Sequence, residues 1–180
     1  TYTVNFIGTL RLLQALKEAG FTGKFLFVGT SDAYGIVNED ELPISENRTL
    51  APRNPYAVSK VAAESLCYQW SQTENMNIVM ARPFNHIGPG QAPTFVVSDF
   101  ARQIAQIKLG LAEPVLYTGN IDVYRDFTDV RDVIMAYILL LKSGQNGEVY
   151  NICSGIGISI REIVNKLIKI SGADIAVKVD

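Results

Sequence analysis

Two short, unbroken apolar runs constrain this chain more than any other feature. The first, Phe25-Leu26-Phe27-Val28, follows Lys24 and ends at Gly29-Thr30. The second, Ile78-Val79-Met80-Ala81, lies between Asn77 and Arg82 and is stopped by Pro83. Runs of this length without polar alternation fit strands buried on both faces of a parallel sheet. Between them, Asn54-Pro55 reads as an N-cap followed by proline at the first helical position. A helix is expected from there to about Gln72, with Val58, Ala62, Leu66, Cys67 and Trp70 as its apolar stripe. Strand and helix alternating at this spacing predict an α/β fold with a parallel sheet.

The rest of the chain extends that pattern. Val4, Ile7, Leu12, Leu13 and Leu16 fall at mixed helical spacings before Gly20 and Gly23. The polar stretch 32–54 reads as a long loop, and long ordered loops are often functional. Beyond Pro83 the texture changes, and 85–93 is rich in Gly, Pro and polar residues. Further helices are expected over 95–109, 130–141 and 159–170, and strands over 114–118 and 148–153. Ser159 and Glu162 have the spacing of a capping box. The chain starts at Thr1 in helix-like sequence without an initiator Met and stops just after a strand-like run. Sequence is therefore expected to be missing at both ends.

Composition excludes several classes of function. Formal charge is −2, with no basic excess of the kind a nucleic-acid surface needs. One or two arginines still suffice for a phosphate ligand. His86 is the only histidine, which argues against a zinc site. Cys67 and Cys153 read as reduced thiols of a cytosolic protein. No apolar run reaches the ~18 residues of a membrane helix, and no leader-like segment is present. The expected location is the cytoplasm.

The strongest chemical motif is Tyr56-Ala-Val-Ser-Lys60. Residues four apart on a helix share a face, so the phenol and the ammonium can enter one site. A free tyrosine titrates at about pH 10. A nearby ammonium, together with an oxidised nicotinamide, favours the phenolate and brings Tyr56 into range as a general acid/base. Alone, this spacing equally describes a packed tyrosine beside a solvated lysine. The second motif, Val28-Gly-Thr-Ser-Asp-Ala-Tyr-Gly35, sits where the first apolar run ends. Ligands of open α/β sheets bind beyond the carboxyl ends of strands. Thr30 is the first hydroxyl there, available to a substrate oxygen or to a turn.

Taken in order, these motifs resemble the extended short-chain dehydrogenase/reductase family. Arg82-Pro83-Phe84-Asn85 with Gly88-Pro89-Gly90, and Asn5, Gly8 and Thr9 in an Asn-x-x-Gly-Thr helix, belong to the same resemblance. It covers essentially the whole chain. It implies a Rossmann-like parallel sheet and a smaller α/β substrate-binding lobe. Residues 1–84 are then the C-terminal half of a dinucleotide-binding domain. Residues 85–180 are mainly the lobe, with about 120–145 returning to the first domain. The implied cofactor is NADP or NAD. Thr30, Tyr56 and Lys60 take the places of the family's catalytic hydroxyl, acid/base and ribose-holding lysine. Pro83 and Phe84 fall where the backbone faces the nicotinamide, with His86 close by as a cofactor contact or a packed histidine. Asn85 and Arg125 match positions on the substrate's phosphates, and arginine suits phosphate through planar bidentate bonds.

Phe84-Asn-His-Ile-Gly-Pro-Gly-Gln91 and Thr94-Phe-Val-Val-Ser-Asp99 narrow the resemblance to the GDP-sugar branch, and within it to reductases of 4-keto-6-deoxy sugars. Phe95 and Val96 would border the base. Asp99 would accept from guanine or serve as an N-terminal helix charge. Hydride transfer to the C4 ketone of a GDP-4-keto-6-deoxy-hexose is the implied reaction. The alternatives are GDP-mannose 4,6-dehydration or epimerisation, for which Asp32 stands where dehydratases carry a carboxylate, and a non-catalytic cofactor-binding protein. Ser154-Gly-Ile-Gly-Ile-Ser159 imitates a dinucleotide loop but lacks the third glycine, so it reads as a turn into a capped helix. The true loop is expected upstream. This span alone is therefore expected to fold poorly, with an open sheet edge. The stripes of the first two helices imply a homodimer through a four-helix bundle, or burial against the chain's own sheet.

Overall fold

The computed structural model describes residues 1–179. A π-helical turn (Thr3–Ile7) runs into α1 (Gly8–Glu18), followed by β1 (Lys24–Val28), α2 (Pro55–Thr73) and β2 (Asn77–Pro83). Next come β3 (Asn85–Ile87), α3 (Val96–Lys108), β4 (Val115–Thr118), β5 (Tyr124–Asp129) and α4 (Val130–Ser143). The chain closes with β6 (Val149–Ile152), β7 (Gly157–Ser159), α5 (Ile160–Ser171) and β8 (Ala176–Val179). Two 3-10 turns, Ser31–Tyr34 and Glu39–Glu41, punctuate the long loop before α2. Two compact units result: Thr1–Phe84 with Arg131–Cys153, and Asn85–Val130 with the residues from Ser154 onward.

In the first unit β2 is the central strand, parallel to both neighbours in the order β1-β2-β6. Successive side chains of a strand point to opposite faces. Ile78 and Met80 therefore join Leu13, Phe27, Ala63, Cys67, Trp70 and Met76 in one core. Val79 and Ala81 join Leu140 in another, with Leu26, Tyr137, Tyr150 and Ile152 packed on it. Burial on both faces is the reason the sequence shows a continuous apolar run. Ile78 is fully buried, and Ile78→Ala is expected to cost about 2–5 kcal/mol. The effect would be read as a lower urea midpoint at unchanged m-value. Helix α2 starts where Asn54-Pro55 predicts, with Asn54 Oδ1 accepting from the Ala57 amide at 2.7 Å. The stripe running from the π-helical turn into α1 divides: Leu13 and Leu16 pack inward, whereas Val4 is 75% and Leu12 50% exposed. Burial pushes the Cys67 thiol up to about 12, so it stays protonated and inert.

The second unit holds two small sheets. In one, β5 lies between β3, parallel to it, and β7, antiparallel; in the other, β4 pairs parallel with β8. Its core gathers Phe100 and Ile104 of α3, Ile160, Ile163 and Val164 of α5, and Leu116, Ile121 and Ile175. The capping box forms as expected. Ser159 Oγ accepts from the Glu162 amide at 3.1 Å, and Glu162 Oε2 accepts from the Ser159 amide at 2.9 Å. Those bonds hold the Glu162 carboxyl below the usual range. Strands β3 and β7 depart from the sequence expectation, which read both stretches as irregular. They are three residues long and Asn85–Ile87 and Gly157–Ser159 carry polar or glycine residues, so backbone pairing rather than an apolar pattern makes them strands. No helix among the described residues is long and apolar enough to cross a membrane.

Candidate active site

The turn after β1 is shaped by close packing. The Gly29 amide donates to the Ala81 carbonyl at 2.7 Å, prolonging the β1–β2 ladder by one residue. A Cβ at Gly29 would lie 3.0 Å from that oxygen and 3.2 Å from Glu64 Oε2, so the position has room for little beyond glycine. Thr30 is extended and buried, and its Oγ1 accepts from the Asp32 amide at 3.2 Å, capping the 3-10 turn. Asp32 is exposed in that turn, and Tyr34 at its end is fully buried.

Tyr56, Lys60 and Glu64 follow one another at four-residue spacing along one face of α2. Tyr56 is half-exposed, and its hydroxyl lies within hydrogen-bonding reach of the Thr30 hydroxyl. Burial raises the Tyr56 phenol above the ordinary tyrosine value; the Thr30 hydrogen bond opposes this, and the Asp32 charge adds to it. The Lys60 ammonium donates to the Val28 carbonyl at 2.7 Å and sits 5.3 Å from the Phe27 ring centroid. Burial lowers its pKa. Lys60, drawn to the end of β1, is not among the groups that shift Tyr56 here, and burial dominates. Tyr56 is held as a neutral phenol, the form that gives up a proton.

The helix start is tied from below. Ser59, fully buried, donates to the Tyr56 carbonyl at 2.7 Å and accepts from Asn5 Nδ2 at 2.9 Å. The Thr9 hydroxyl donates to the Asn5 carbonyl at 2.7 Å. Pro83 is buried at the last position of β2, where its missing N–H costs no internal ladder bond. The Phe84 amide is committed to the Ile152 carbonyl at 2.9 Å. Thr30, Asp32, Tyr56, Lys60, Pro83 and Phe84 thus all belong to the first unit. The donor set suits a nicotinamide ribose: an ammonium has three protons, Val28 accepts one, and a phenol stands one turn away.

His86, Asn85, Phe95, Val96, Asp99 and Arg125 belong to the second unit. The His86 carbonyl accepts from Gln91 Nε2 at 3.0 Å. Asn85 is exposed on β3, and its Nδ2 reaches the Asp126 carbonyl of the paired strand β5 at 3.3 Å. Arg125 is exposed on β5 and donates to the Tyr124 carbonyl at 2.7 Å. Phe95 and Val96, 56% and 42% exposed, begin α3. Asp99, in the first turn of α3, accepts from Arg102 at 2.6 Å and Gln103 at 2.7 Å. Burial would raise its carboxyl, but those bonds hold it below the usual range, so its acceptors serve the helix. The Ser154–Ser159 segment is a turn. The Asp126 carboxylate accepts from the Ser154 and Gly155 amides at 2.9 and 2.7 Å, where a phosphate loop would present them to a ligand.

Sequence reasoning missed a buried polar network behind Thr30 and Tyr56. Arg82 Nε and Nη2 make bidentate bonds to Glu64 at 3.0 and 2.6 Å. Its Nη1 donates to the Tyr34 hydroxyl at 2.8 Å and the Glu46 carbonyl at 3.0 Å. The one available signal was Glu64 itself, continuing the Tyr56–Lys60 spacing.

The sequence model for GDP-mannose 4,6 dehydratase matches residues 1–180. The chain is 53% identical over 180 residues to GDP-6-deoxy-D-mannose reductase of Pseudomonas aeruginosa, covering 100% of this chain and 59% of that protein. It is 36% identical over 177 residues to GDP-mannose 4,6-dehydratase of Yersinia enterocolitica, covering 97% and 46%. The structure of RMD from Pseudomonas aeruginosa complexed with NADPH superposes with a TM-score of 0.98, at 53% identity, over 100% of this chain and 61% of that one. A dTDP-glucose 4,6-dehydratase from Bacillus anthracis in complex with NAD gives 0.85 at 28% identity, over 99% and 56%. The chain therefore spans about three fifths of the reductase and half or less of the dehydratase it resembles in sequence.

Proposed function

Because this chain belongs to the GDP-mannose 4,6 dehydratase family, we propose that its protein is a nucleotide-sugar reductase acting on the C4 ketone of a GDP-4-keto-6-deoxy-hexose. The observation that carries this reading is the Thr30–Tyr56–Lys60 cluster in a chain 53% identical throughout to a GDP-6-deoxy-D-mannose reductase. The bound nicotinamide, NADP first and NAD second, supplies the hydride. Tyr56 gives its phenolic proton to the C4 oxygen as negative charge develops there. Thr30 donates a hydrogen bond to the same oxygen, stabilising that charge from a fixed position. Lys60, with one proton on the Val28 carbonyl, would hold the ribose with the others and stabilise the phenolate that Tyr56 leaves behind. One hydride and one proton add across the carbonyl, and the carbinol is the product.

Asn85 and Arg125 are the proposed diphosphate contacts, Phe95 and Val96 border the base, and His86 lies beside the cofactor. Asp99 reaches guanine only by exchanging its bonds to Arg102 and Gln103. The exposed apolar residues Val4 and Leu12 of the first helix favour a homodimer through a four-helix bundle, checked by mass from light scattering of the wild type against Leu12→Glu.

The test is an assay of the protein expressed from its whole gene with GDP-4-keto-6-deoxy-mannose and NADPH. Loss of reduced-nicotinamide absorbance matched by a new carbinol is expected. Conversion of GDP-mannose without net cofactor use would instead identify a dehydratase, the reaction for which Asp32 is the candidate acid/base.

A further inference from the structure

We propose that the buried Arg82–Glu64 pair positions the proton donor, by tying the helix face that carries Tyr56 and Lys60 to the turn that carries Thr30. This inference rests on the acid/base reading of Tyr56 given above. Glu64 lies one turn beyond Lys60 and two beyond Tyr56 on the same face of α2. Arg82, on β2, grips it with both arms of its guanidinium, at 3.0 and 2.6 Å. Its remaining arm holds the hydroxyl of Tyr34, the last residue of the Thr30-capped turn, at 2.8 Å. The same nitrogen holds the Glu46 carbonyl of the long loop at 3.0 Å. Tyr34 in turn donates to Asn151 Oδ1 of β6 at 2.7 Å, and Glu46 Oε1 accepts from the Asn151 amide at 2.8 Å. One side chain thus ties its own strand to the helix of the acid, the turn of its hydroxyl partner and the loop, and Tyr34 and Glu46 extend the network to β6. Gly29, directly before Thr30, approaches the Glu64 carboxylate so closely that a Cβ would come within 3.2 Å of it.

Stability alone is a weak reason for such a pair. Buried ion pairs are often replaced by apolar residues at no cost, because desolvation cancels the attraction. Apolar packing does not fix register, whereas a planar bidentate fork sets both distance and orientation. Arg82 and Glu64 touch neither Tyr56 nor Thr30 in these contacts, so they are positioning residues. The titratable groups around the Tyr56 phenol are Asp32 from the turn, Lys60 one turn along α2 and Tyr137 from α4.

The experiment compares wild type with the double variant Glu64→Met/Arg82→Met, which removes both charges together, and with Tyr34→Phe. Each is made in the protein expressed from its whole gene. With the substrate that the wild type turns over, kcat of the folded double variant is expected to fall about 10- to 100-fold, the cost of a misplaced reacting group. KM for the nucleotide sugar should stay within about threefold. In the free enzyme the Thr30 hydrogen bond favours the Tyr56 phenolate, so loosening it moves the basic limb of the kcat/KM–pH profile upward. Tyr34→Phe should shift both readouts in the same direction by less, and it decides the matter if the double variant does not fold. A folded variant with wild-type kcat and an unmoved basic limb would overturn the proposal. An inactive wild type would instead defeat the reductase reading, which separates the two failures.

Discussion

Tyr56→Phe is expected to lower turnover about 10²- to 10⁴-fold, the usual loss for a missing general acid. The substitution deletes one oxygen from a half-exposed ring, so the fold and the binding of NADPH should persist. The physical reason lies in the protonation state. Burial raises the Tyr56 phenol, the Thr30 bond opposes this, and Asp32 adds to the rise. A raised acid is protonated throughout the neutral range, and reduction consumes that proton. Thr30→Val removes the partner hydroxyl and should cost less, because Tyr56 still delivers the proton. Stopped-flow mixing with NADPH and a fluorescence titration of cofactor binding separate the two effects. Unaltered turnover in Tyr56→Phe would exclude it as the proton donor.

Gly35→Ala is expected to cause the largest stability loss of any single methyl added to the turn region. Gly35 has φ 70° and ψ −139°, a conformation that L side chains rarely adopt, and such strain costs about 1–3 kcal/mol. Its Cβ would also fall 2.2 Å from the Ala51 carbonyl oxygen. That oxygen is backbone, and the Ala51 amide donates to the Ala33 carbonyl at 2.9 Å, so the residue is tied to the turn and no side-chain movement relieves the clash. Relief requires the loop to separate from the turn that carries Thr30, and turnover should fall with stability. Gly90→Ala serves as the control: Gly90 also has positive φ, 83°, but a Cβ there meets nothing within 4 Å. Urea midpoints for the two variants isolate the contact with Ala51. Equal losses would show that the clash is absent in solution.

Much of this was legible in the sequence where one physical signal dominated. The continuous runs Phe25–Val28 and Ile78–Ala81 announced doubly buried strands, because both faces of β1 and β2 need apolar cover. Asn54-Pro55 and Ser159–Glu162 announced helix starts, because the unsatisfied amides there need acceptors. Strands β3 and β7 were not legible: each is three residues long and held by backbone pairing. The first helix and α2 were legible as helices, but not which apolar residues turn inward. Leu13 and Cys67 are fully buried while Val4 and Leu12 stay exposed. In the candidate site, the Tyr56–Lys60 spacing and the hydroxyl of Thr30 could be read directly. The commitment of Lys60 to Val28, and of Asp99 to Arg102 and Gln103, could not. Neither could the Arg82–Glu64 pair, whose partners are 18 residues apart. Ionic contacts between separate elements depend on the packing, and no local pattern encodes them.

The most direct test of the central claim follows the hydride. The protein is incubated with GDP-4-keto-6-deoxy-mannose and NADPH deuterated at both C4 positions of the nicotinamide, and the sugar is examined by NMR. One deuterium at C4 of the product sugar, one NADP⁺ formed per sugar reduced, and loss of both signals in Tyr56→Phe are expected. An unlabelled product, or GDP-mannose converted with no net consumption of NADPH, would contradict that claim.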